Sequence, residues 1–290
     1  MGAKRKHVMA IDSNFLMIRA DSVFSELSTK DGRKSGIVYG YIKAFVDFLT
    51  IYNPDYYIPL FDHHHSRFRS TINAGYKKNR KEKPAYMIEE MAACREFVRL
   101  AGWTPYREYE VEADDLAAKI AKELSSKYLV QLVSVDHDWQ QLTGDNVFVI
   151  RPGMYGKADQ IVSYSDASEK IGLPAERWPE IAAIQGDIGD NVIGIDGYGP
   201  KRSLNIIKKY GNLWNACTKD EKLKANSKRI LDNYRMTVLD GTVAEKPIPL
   251  EDNRVESVKN KIYDNDEIMD FLNRWGMDSI KEKVKEHELW

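Results

Sequence analysis

Short runs of Val, Ile and Leu alternate with longer stretches of helical spacing in the first half of the chain. The runs predict strands over residues 7–11, 56–61, 128–135 and 147–150. The longer stretches predict helices over residues 35–52, 86–101 and 114–124. Because strands that alternate with helices are typical of a largely parallel sheet, residues 1–173 are expected to form an α/β domain.

The pattern changes after residue 173, where strand-like runs give way to helical patterns joined by Gly, Asn and Pro. Its most distinctive stretch is glycine-rich and extends from Gly186 to Lys201. A helical pattern follows over residues 202–210, and Gly211 is a suitable helix stop. We therefore expect a second, helical region over residues 174–290.

Composition describes an ordinary globular chain of 290 residues, 43% of them hydrophobic, enough to bury one large or two modest cores. Its apolar runs are too short to cross a bilayer or to serve as a signal peptide. Cys94 and Cys217 have no partner at disulfide-framework or zinc-site spacing. We expect a cytoplasmic protein and, because no coiled-coil pattern occurs, a monomer.

Charge is unevenly distributed, although the net charge is only −1. Residues 63–83 carry seven bases and one acid, and residues 199–235 carry ten bases and three acids. Residues 110–115 instead hold four acids and no base. Any one run is explained equally well as solvated charge on an exposed helix, but together they fit a polyanion-binding surface around an acidic metal centre.

Carboxylates follow three of the predicted strands directly, at Asp12, Asp62 and Asp136, with Asp138 two residues further on. Parallel strands bring such residues to one edge of the sheet, where open α/β folds bind ligands. The acids that could join them from the next helix and from the glycine-rich stretch are Glu112, Asp114, Asp115, Asp187 and Asp190. Oxygen ligands without a His or Cys cluster favour Mg²⁺ or Mn²⁺.

Single acids in this set are weak signals, because an aspartate at a strand end is more often a cap or turn residue. The spacing of Asp136 and Asp138 also occurs in aspartate-based phosphatases, but there the pair follows the first strand. The prediction of a metal centre therefore depends on the whole set.

Six stretches in this order resemble the flap endonuclease and 5′–3′ exonuclease family, in particular its free-standing phage type and the nuclease domain of bacterial DNA polymerase I. They are Asp12-Ser-Asn-Phe-Leu-Met-Ile-Arg19, Ser35-Gly-Ile-Val-Tyr-Gly40, Phe61-Asp62 leading to Tyr76-Lys77-Lys-Asn79-Arg80, Val111-Glu-Ala-Asp-Asp115, Ser134-Val-Asp-His-Asp-Trp-Gln-Gln-Leu142, and Gly186-Asp-Ile-Gly-Asp-Asn191 running into Gly194-Ile-Asp-Gly-Tyr-Gly-Pro-Lys201. The resemblance implies a PIN-like (Rossmann-like), mostly parallel sheet flanked by helices, with a helix-hairpin-helix motif in a helical C-terminal region.

The resemblance also implies two Mg²⁺ or Mn²⁺ ions. One would be held by Asp12, Asp62, Glu112 and Asp114, and the other by Asp136, Asp138, Asp187 and Asp190, with Asp115 as an additional acid acting through water. Asp136 and Asp138 thereby count as catalytic residues as well as metal ligands.

DNA contacts are implied in two places. In the family's helical arch, here about residues 63–100, Lys77 and Arg80 match residues on the scissile phosphate, and Tyr76 matches an aromatic that stacks on a base. In the helix-hairpin-helix, which by resemblance also takes K⁺, backbone N–H groups and the next helix start hold a duplex phosphate. The matching residues there are Gly194, Gly197, Gly199, Lys201 and Arg202.

The segment after the second predicted strand departs from the family pattern. His63, His64 and His65 replace its usual small and basic residues, which leaves open a phosphate contact, a simple exposed loop or, less favoured, a further metal site.

The leading hypothesis is a metal-dependent nuclease, a 5′–3′ exonuclease and flap endonuclease of DNA replication or repair. Its partners would be DNA with a 5′ flap, 5′ overhang or junction, and RNA–DNA hybrids by family resemblance. The alternatives are a PIN-class ribonuclease and a non-catalytic DNA-junction binding protein.

Overall fold

The computed structural model describes residues 5–64, 66–153, 157–258, 261–263 and 265–286, so His65 lies outside the described residues. One five-stranded sheet has the order β2-β1-β3-β4-β5. Its strands are β1 (His7–Asp12), β2 (Tyr56–Leu60), β3 (Leu129–Val133), β4 (Val147–Arg151) and β5 (Gln160–Val162). All neighbouring pairs are parallel except β4 and β5.

The helices before the sheet's last strand are α1 (Ser13–Phe24), α2 (Gly36–Tyr52), α3 (Arg67–Ile72), α4 (Ala85–Leu100) and α5 (Ala113–Leu124). After β5 come α6 (Tyr164–Ile171), α7 (Trp178–Gln185), the two-stranded hairpin β6 (Gly186–Asp187) and β7 (Val192–Ile193), and α8 (Pro200–Tyr210). The last helices are α9 (Leu213–Lys219), α10 (Glu221–Ala225), α11 (Ser227–Thr237), α12 (Val255–Val258), α13 (Asp266–Arg274) and α14 (Asp278–Lys285). Among the described residues, none of these helices is both long and apolar enough to span a membrane.

The sheet is buried on both faces, which explains why its strands read as nearly continuous apolar runs. Met9 and Ile11 of β1 face a core shared with α2 and α4. Val8 and Ala10 of the same strand face α5. The predicted α/β fold is therefore confirmed, with strand and helix bounds within a few residues of the predicted ones.

Among the elements that were not predicted are α1 and β5. Helix α1 begins directly at the end of β1 because the Asp12 side chain accepts a hydrogen bond from the N–H of Phe15 at 2.9 Å and caps the helix. Strand β5 has three residues at an exposed edge of the sheet, too few to give a period-2 pattern.

The helices after residue 173 pack in two places. Helices α7 to α11 enclose a separate core that includes Ile184, Ile207 and Ile230. Helices α12 to α14 pack on the core that β1 shares with α2 and α4. There the ring centroid of Phe271 in α13 lies 6.0 Å from that of Phe97 in α4. The boundary at residue 173 stays a prediction.

Candidate metal and nucleic-acid site

The carboxyl edge of the sheet collects the acids that follow its strands. Pairing of Asp12 with Leu60 and of Ile11 with Val133 brings the ends of β1, β2 and β3 level, so Asp62 and Asp136 emerge beside Asp12. Asp62 accepts a hydrogen bond from the N–H of Ala113 at 2.8 Å. This bond fixes the start of α5, and therefore its first-turn acids, against the end of β2.

Three side-chain hydrogen-bond donors orient the acids of this edge. The indole N–H of Trp139 donates to Asp114 at 2.7 Å, and the indole N–H of Trp178 donates to Asp138 at 2.7 Å. The hydroxyl of Ser134 donates to Asp12 at 3.1 Å. Each indole occupies one oxygen of its carboxylate, so the second oxygen of Asp114 and of Asp138 stays available for a cation. The two oxygens of Asp12 accept from Ser134 and from the N–H of Phe15.

The electrostatics of these acids indicate missing positive charge. Burial, and then the charge of Asp62, raises the pKa of Asp12 to about 7. Burial, and then Asp136, raises the pKa of Asp138 to about 7 and that of Asp114 well above its ordinary value. Burial also raises the pKa of Asp62. Carboxylates that resist ionisation together would be ionised by a shared cation, so the donor set fits hard divalent metal ions.

Asp136, His137 and Asp138 offer ligand atoms that all lie within 4.8 Å of one another. The backbone N–H of Asp138 donates to Asp136 at 2.9 Å, which holds the short turn in this shape. Asp187 and Asp190 of the β6–β7 hairpin line a cleft of 360 Å³ together with Asp114 and Asp138.

Part of the acid set is neutralised by bases of the loop that follows α3. Glu112 accepts hydrogen bonds from Lys77 and, at 3.0 Å, from the hydroxyl of Tyr76. Asp190 accepts from Arg80 and, at 3.2 Å, from the same tyrosine hydroxyl. The structure thus brings Tyr76, Lys77 and Arg80 to the predicted acids. In this structure the three side chains bind carboxylates, whereas the predicted contacts are with DNA.

Tyr76 is covered by its surroundings in this structure, so its stacking on a base stays a prediction. Only 6% of the residue is exposed, and its hydroxyl is held by Glu112 and Asp190. The ring therefore presents no free face on which a base can stack.

Asp115 also has a different environment from the predicted one. Arg69 donates to its two carboxylate oxygens at 2.6 and 2.9 Å. Arg69 further donates to Glu112 at 3.2 Å and to the carbonyl of Met236 at 2.8 Å. Asp115 is therefore a buried ion-pair partner that positions Arg69, and through it Glu112. Its role as an additional acid that acts through water stays a prediction.

The glycine-rich stretch connects α7 to α8 through the β6–β7 hairpin. An added Cβ at Gly194 would lie 2.0 Å from the carbonyl oxygen of Gln185, so only glycine lets the two segments meet. Gly197 has φ +79°, in the left-handed region. Gly199 caps α8, whose first turn carries no acid, and Lys201 and Arg202 of that turn are exposed.

Sequence reasoning missed the residues that orient the acids, namely Arg69, Ser134, Trp139 and Trp178. Ser134 and Trp139 belong to the stretch Ser134–Leu142 that resembles the family, so their position in it could have identified them as candidates. Arg69 is one of seven bases in its segment, and its partners lie 43 and 46 residues away. Only the fold distinguishes it from its neighbours.

Known proteins resemble this chain in sequence and in fold. Residues 7–172 match the profile of a family described as 5′–3′ exonuclease, N-terminal resolvase-like domain. A 5′–3′ exonuclease of Aquifex aeolicus is 29% identical over 269 residues, which cover 89% of this chain and 92% of that protein. The thermostable DNA polymerase I of Thermus thermophilus is 28% identical over 94% of this chain, which spans only 32% of the polymerase.

Solved structures share the fold. The D15 protein of bacteriophage T5, crystallised with metal ions, superposes with a TM-score of 0.67 at 22% identity, covering 97% of this chain and all of that one. Flap endonuclease-1 from Methanococcus jannaschii superposes with a TM-score of 0.61 at 17% identity, covering 99% and 92% of the two chains.

Proposed function

The chain belongs to the 5′–3′ exonuclease family. We propose that it is a metal-dependent nuclease that hydrolyses DNA phosphodiesters at 5′ ends and 5′ flaps. The observation that carries the proposal is the cluster of partly buried carboxylates at the carboxyl edge of the sheet, which lie close enough to raise one another's pKa values and so call for positive charge. We assign it to the cytoplasm of a bacterial or phage-infected cell and expect it to act as a monomer.

Two groups of acids would hold the metal ions, Mg²⁺ or Mn²⁺. Asp12, Asp62, Glu112 and Asp114 lie at the ends of β1 and β2 and the start of α5, and Asp136, Asp138, Asp187 and Asp190 lie at the turn after β3 and on the β6–β7 hairpin. When bound, the ions would supply an activated water and neutralise charge at the leaving 3′ oxygen. Trp139, Trp178 and Ser134 keep the carboxylates oriented for this task.

Lys77 and Arg80 have a role that follows from their present partners. They neutralise Glu112 and Asp190, so cations that took over these carboxylates would release both side chains toward the scissile phosphate. There they would stabilise the charge that develops on the phosphate oxygens. Tyr76 would be freed by the same exchange, because its hydroxyl is bound to the same two acids.

The helix-hairpin-helix assignment is part of the proposal. The open start of α8 and the exposed bases Lys201 and Arg202 suit a duplex phosphate, and Gly194, Gly197 and Gly199 allow close backbone approach. K⁺ would bind at the same motif. Pro200 lines the same cleft as Asp138 and Asp187, so duplex and cleavage site would be contiguous.

The test uses a 5′-flap duplex labelled at either end, incubated in Mg²⁺ and in EDTA. Wild-type protein is expected to cleave near the junction only with metal, and Asp138→Asn should remove that activity. Asp145 is exposed and lies just before the amino end of β4, whereas the acids lie at the carboxyl edge of the sheet. Asp145→Asn is therefore the matched control and should cleave normally.

Three results would change the proposal. Cleavage that is confined to an RNA strand would favour the PIN-class ribonuclease. Tight junction binding without product in either metal would favour a non-catalytic junction-binding protein. Cleavage that persists in EDTA would contradict the metal-dependent chemistry itself.

A further inference from the structure

The turn after β3 carries a histidine between two of the acids that would hold metal. The side chain of His137 is 54% exposed and lines the same cleft as Asp138, Asp187 and Asp190. Among the residues that the structure describes, none forms a hydrogen bond with either of its ring nitrogens. An imidazole nitrogen is therefore available to a ligand in the cleft.

The distances around His137 suit a shared ion. Its Nε2 lies 3.6 Å from Oδ1 of Asp138, just beyond hydrogen-bond distance. One ligand atom from each of Asp136, His137 and Asp138 lies within 4.8 Å of the other two. Two ligands on opposite sides of an ion, each with a bond of about 2.1 Å, are about 4.2 Å apart. A small rotation of one side chain therefore brings all three residues onto one ion.

The surroundings hold the three residues in this arrangement. The ring of Trp178 lies edge-on to the ring of His137, with centroids 4.7 Å apart, and its N–H donates to Asp138 at 2.7 Å. The backbone N–H of Asp138 donates to Asp136 at 2.9 Å, and that of Gln140 donates to the carbonyl oxygen of His137 at 3.1 Å. These contacts fix the turn and the ring while they leave the imidazole nitrogens unused, which is the support that a metal ligand needs.

An imidazole changes which ion the turn prefers. Carboxylate oxygens bind Mg²⁺ and Mn²⁺, whereas an imidazole nitrogen suits first-row transition-metal ions and not Mg²⁺, which takes oxygen ligands. We infer that Asp136, His137 and Asp138 form a mixed nitrogen and oxygen site that binds a transition-metal ion in preference to Mg²⁺. This inference rests on the proposed function, because it names the ion at the second of its two metal sites. Asp12, Asp62, Glu112 and Asp114 offer oxygen only and do not make this choice.

The experiment measures metal binding without DNA. One equivalent of Mn²⁺ is added to metal-free protein in the presence of excess Mg²⁺, which fills the oxygen-only site. Electron spin echo envelope modulation then detects nitrogen bound directly to Mn²⁺. Wild-type protein should show this nitrogen coupling, and His137→Phe should lack it. By titration calorimetry with each metal alone, His137→Phe should weaken Mn²⁺ binding about tenfold and Mg²⁺ binding by no more than about twofold.

Two features of the variants separate ligation from other effects. His137→Phe keeps a ring beside Trp178 and removes only the nitrogens, so the orientation of Asp138 should be retained. His7→Gln is the matched control, because it removes an imidazole at the amino end of β1, the opposite edge of the sheet. It should keep the nitrogen coupling and both metal affinities.

Nitrogen coupling that is absent in wild type, or that persists in His137→Phe, would overturn the mixed site. Equal losses of Mn²⁺ and Mg²⁺ affinity in His137→Phe would do the same, because they would show that the ring only supports the turn. Unchanged Mn²⁺ affinity with weaker duplex binding would make His137 a phosphate contact instead. If wild-type protein cleaves no flap, the proposed function fails, whereas nitrogen coupling that depends on His137 would still support the metal site.

Discussion

Replacing Arg69 by Met tests whether this buried arginine holds the acidic site together. The side chain is 4% exposed and donates to Asp115, Glu112 and the carbonyl of Met236. Removing it leaves Asp115, itself 3% exposed, as a buried charge without its partner. Breaking such a pair costs about 3–5 kcal/mol.

The expected cost converts into a measurable temperature. An unfolding entropy of about 2.1 cal/mol/K per residue gives about 0.6 kcal/mol/K for a chain of 290 residues. Arg69→Met should therefore lower Tm by about 5–8 °C at neutral pH. Calorimetry or circular dichroism melting in EDTA measures the shift. The deficit should shrink toward acid pH, because protonation neutralises the stranded carboxylate.

Two controls make the result interpretable. Arg254→Met removes an exposed pair with Glu256, and should cost less than about 1 kcal/mol. The double variant Arg69→Met/Asp115→Leu removes both buried charges and should recover most of the lost stability. A Tm loss in Arg69→Met no larger than in Arg254→Met, or no recovery in the double variant, would refute the reasoning.

Three further predictions concern the metal centre and the hairpin. Because the pKa values of Asp12 and Asp138 are raised from 3.8 to about 7, the folded state holds more protons than the unfolded state between these values, so metal-free Tm should fall as pH rises from about 4 to 7. Adding Mg²⁺ should make this fall in Tm smaller, and so should Asp12→Asn. If neither changes the dependence of Tm on pH, the inferred deficit of positive charge is wrong. Trp178→Phe removes the 2.7 Å donor to Asp138 and should weaken Mg²⁺ binding about 10–100-fold by titration calorimetry, and wild-type affinity would count against an orienting role. Gly194→Ala places a Cβ 2.0 Å from a backbone oxygen and should weaken duplex binding in an anisotropy titration, whereas Gly144→Ala, with open space around its Cβ, should bind normally; equal binding by both would argue against a close-packed hairpin.

The sequence alone determined the sheet and the location of its acids. Buried parallel strands need apolar residues on both faces, so β1 to β4 are visible as short apolar runs, and the acids that follow the first three predicted strands mark the sheet edge. Asp12, Asp62 and Asp136 were found in this way, and the motifs added Glu112 and the acids of the hairpin. Local patterns carry this information because strand ends, helix starts and tight turns are fixed by neighbouring residues.

The tertiary structure decided which side chains meet across long separations. No local pattern indicates that Arg69 pairs with Asp115, that Trp178 orients Asp138, or that α13 returns to pack on α4. The same is true of Tyr76, whose hydroxyl binds two acids that come from different parts of the chain. The physical reason is that a buried polar group takes whichever partner the packed chain brings within hydrogen-bond distance, and that choice exists only once the sheet, the hairpin and the returning helices are assembled.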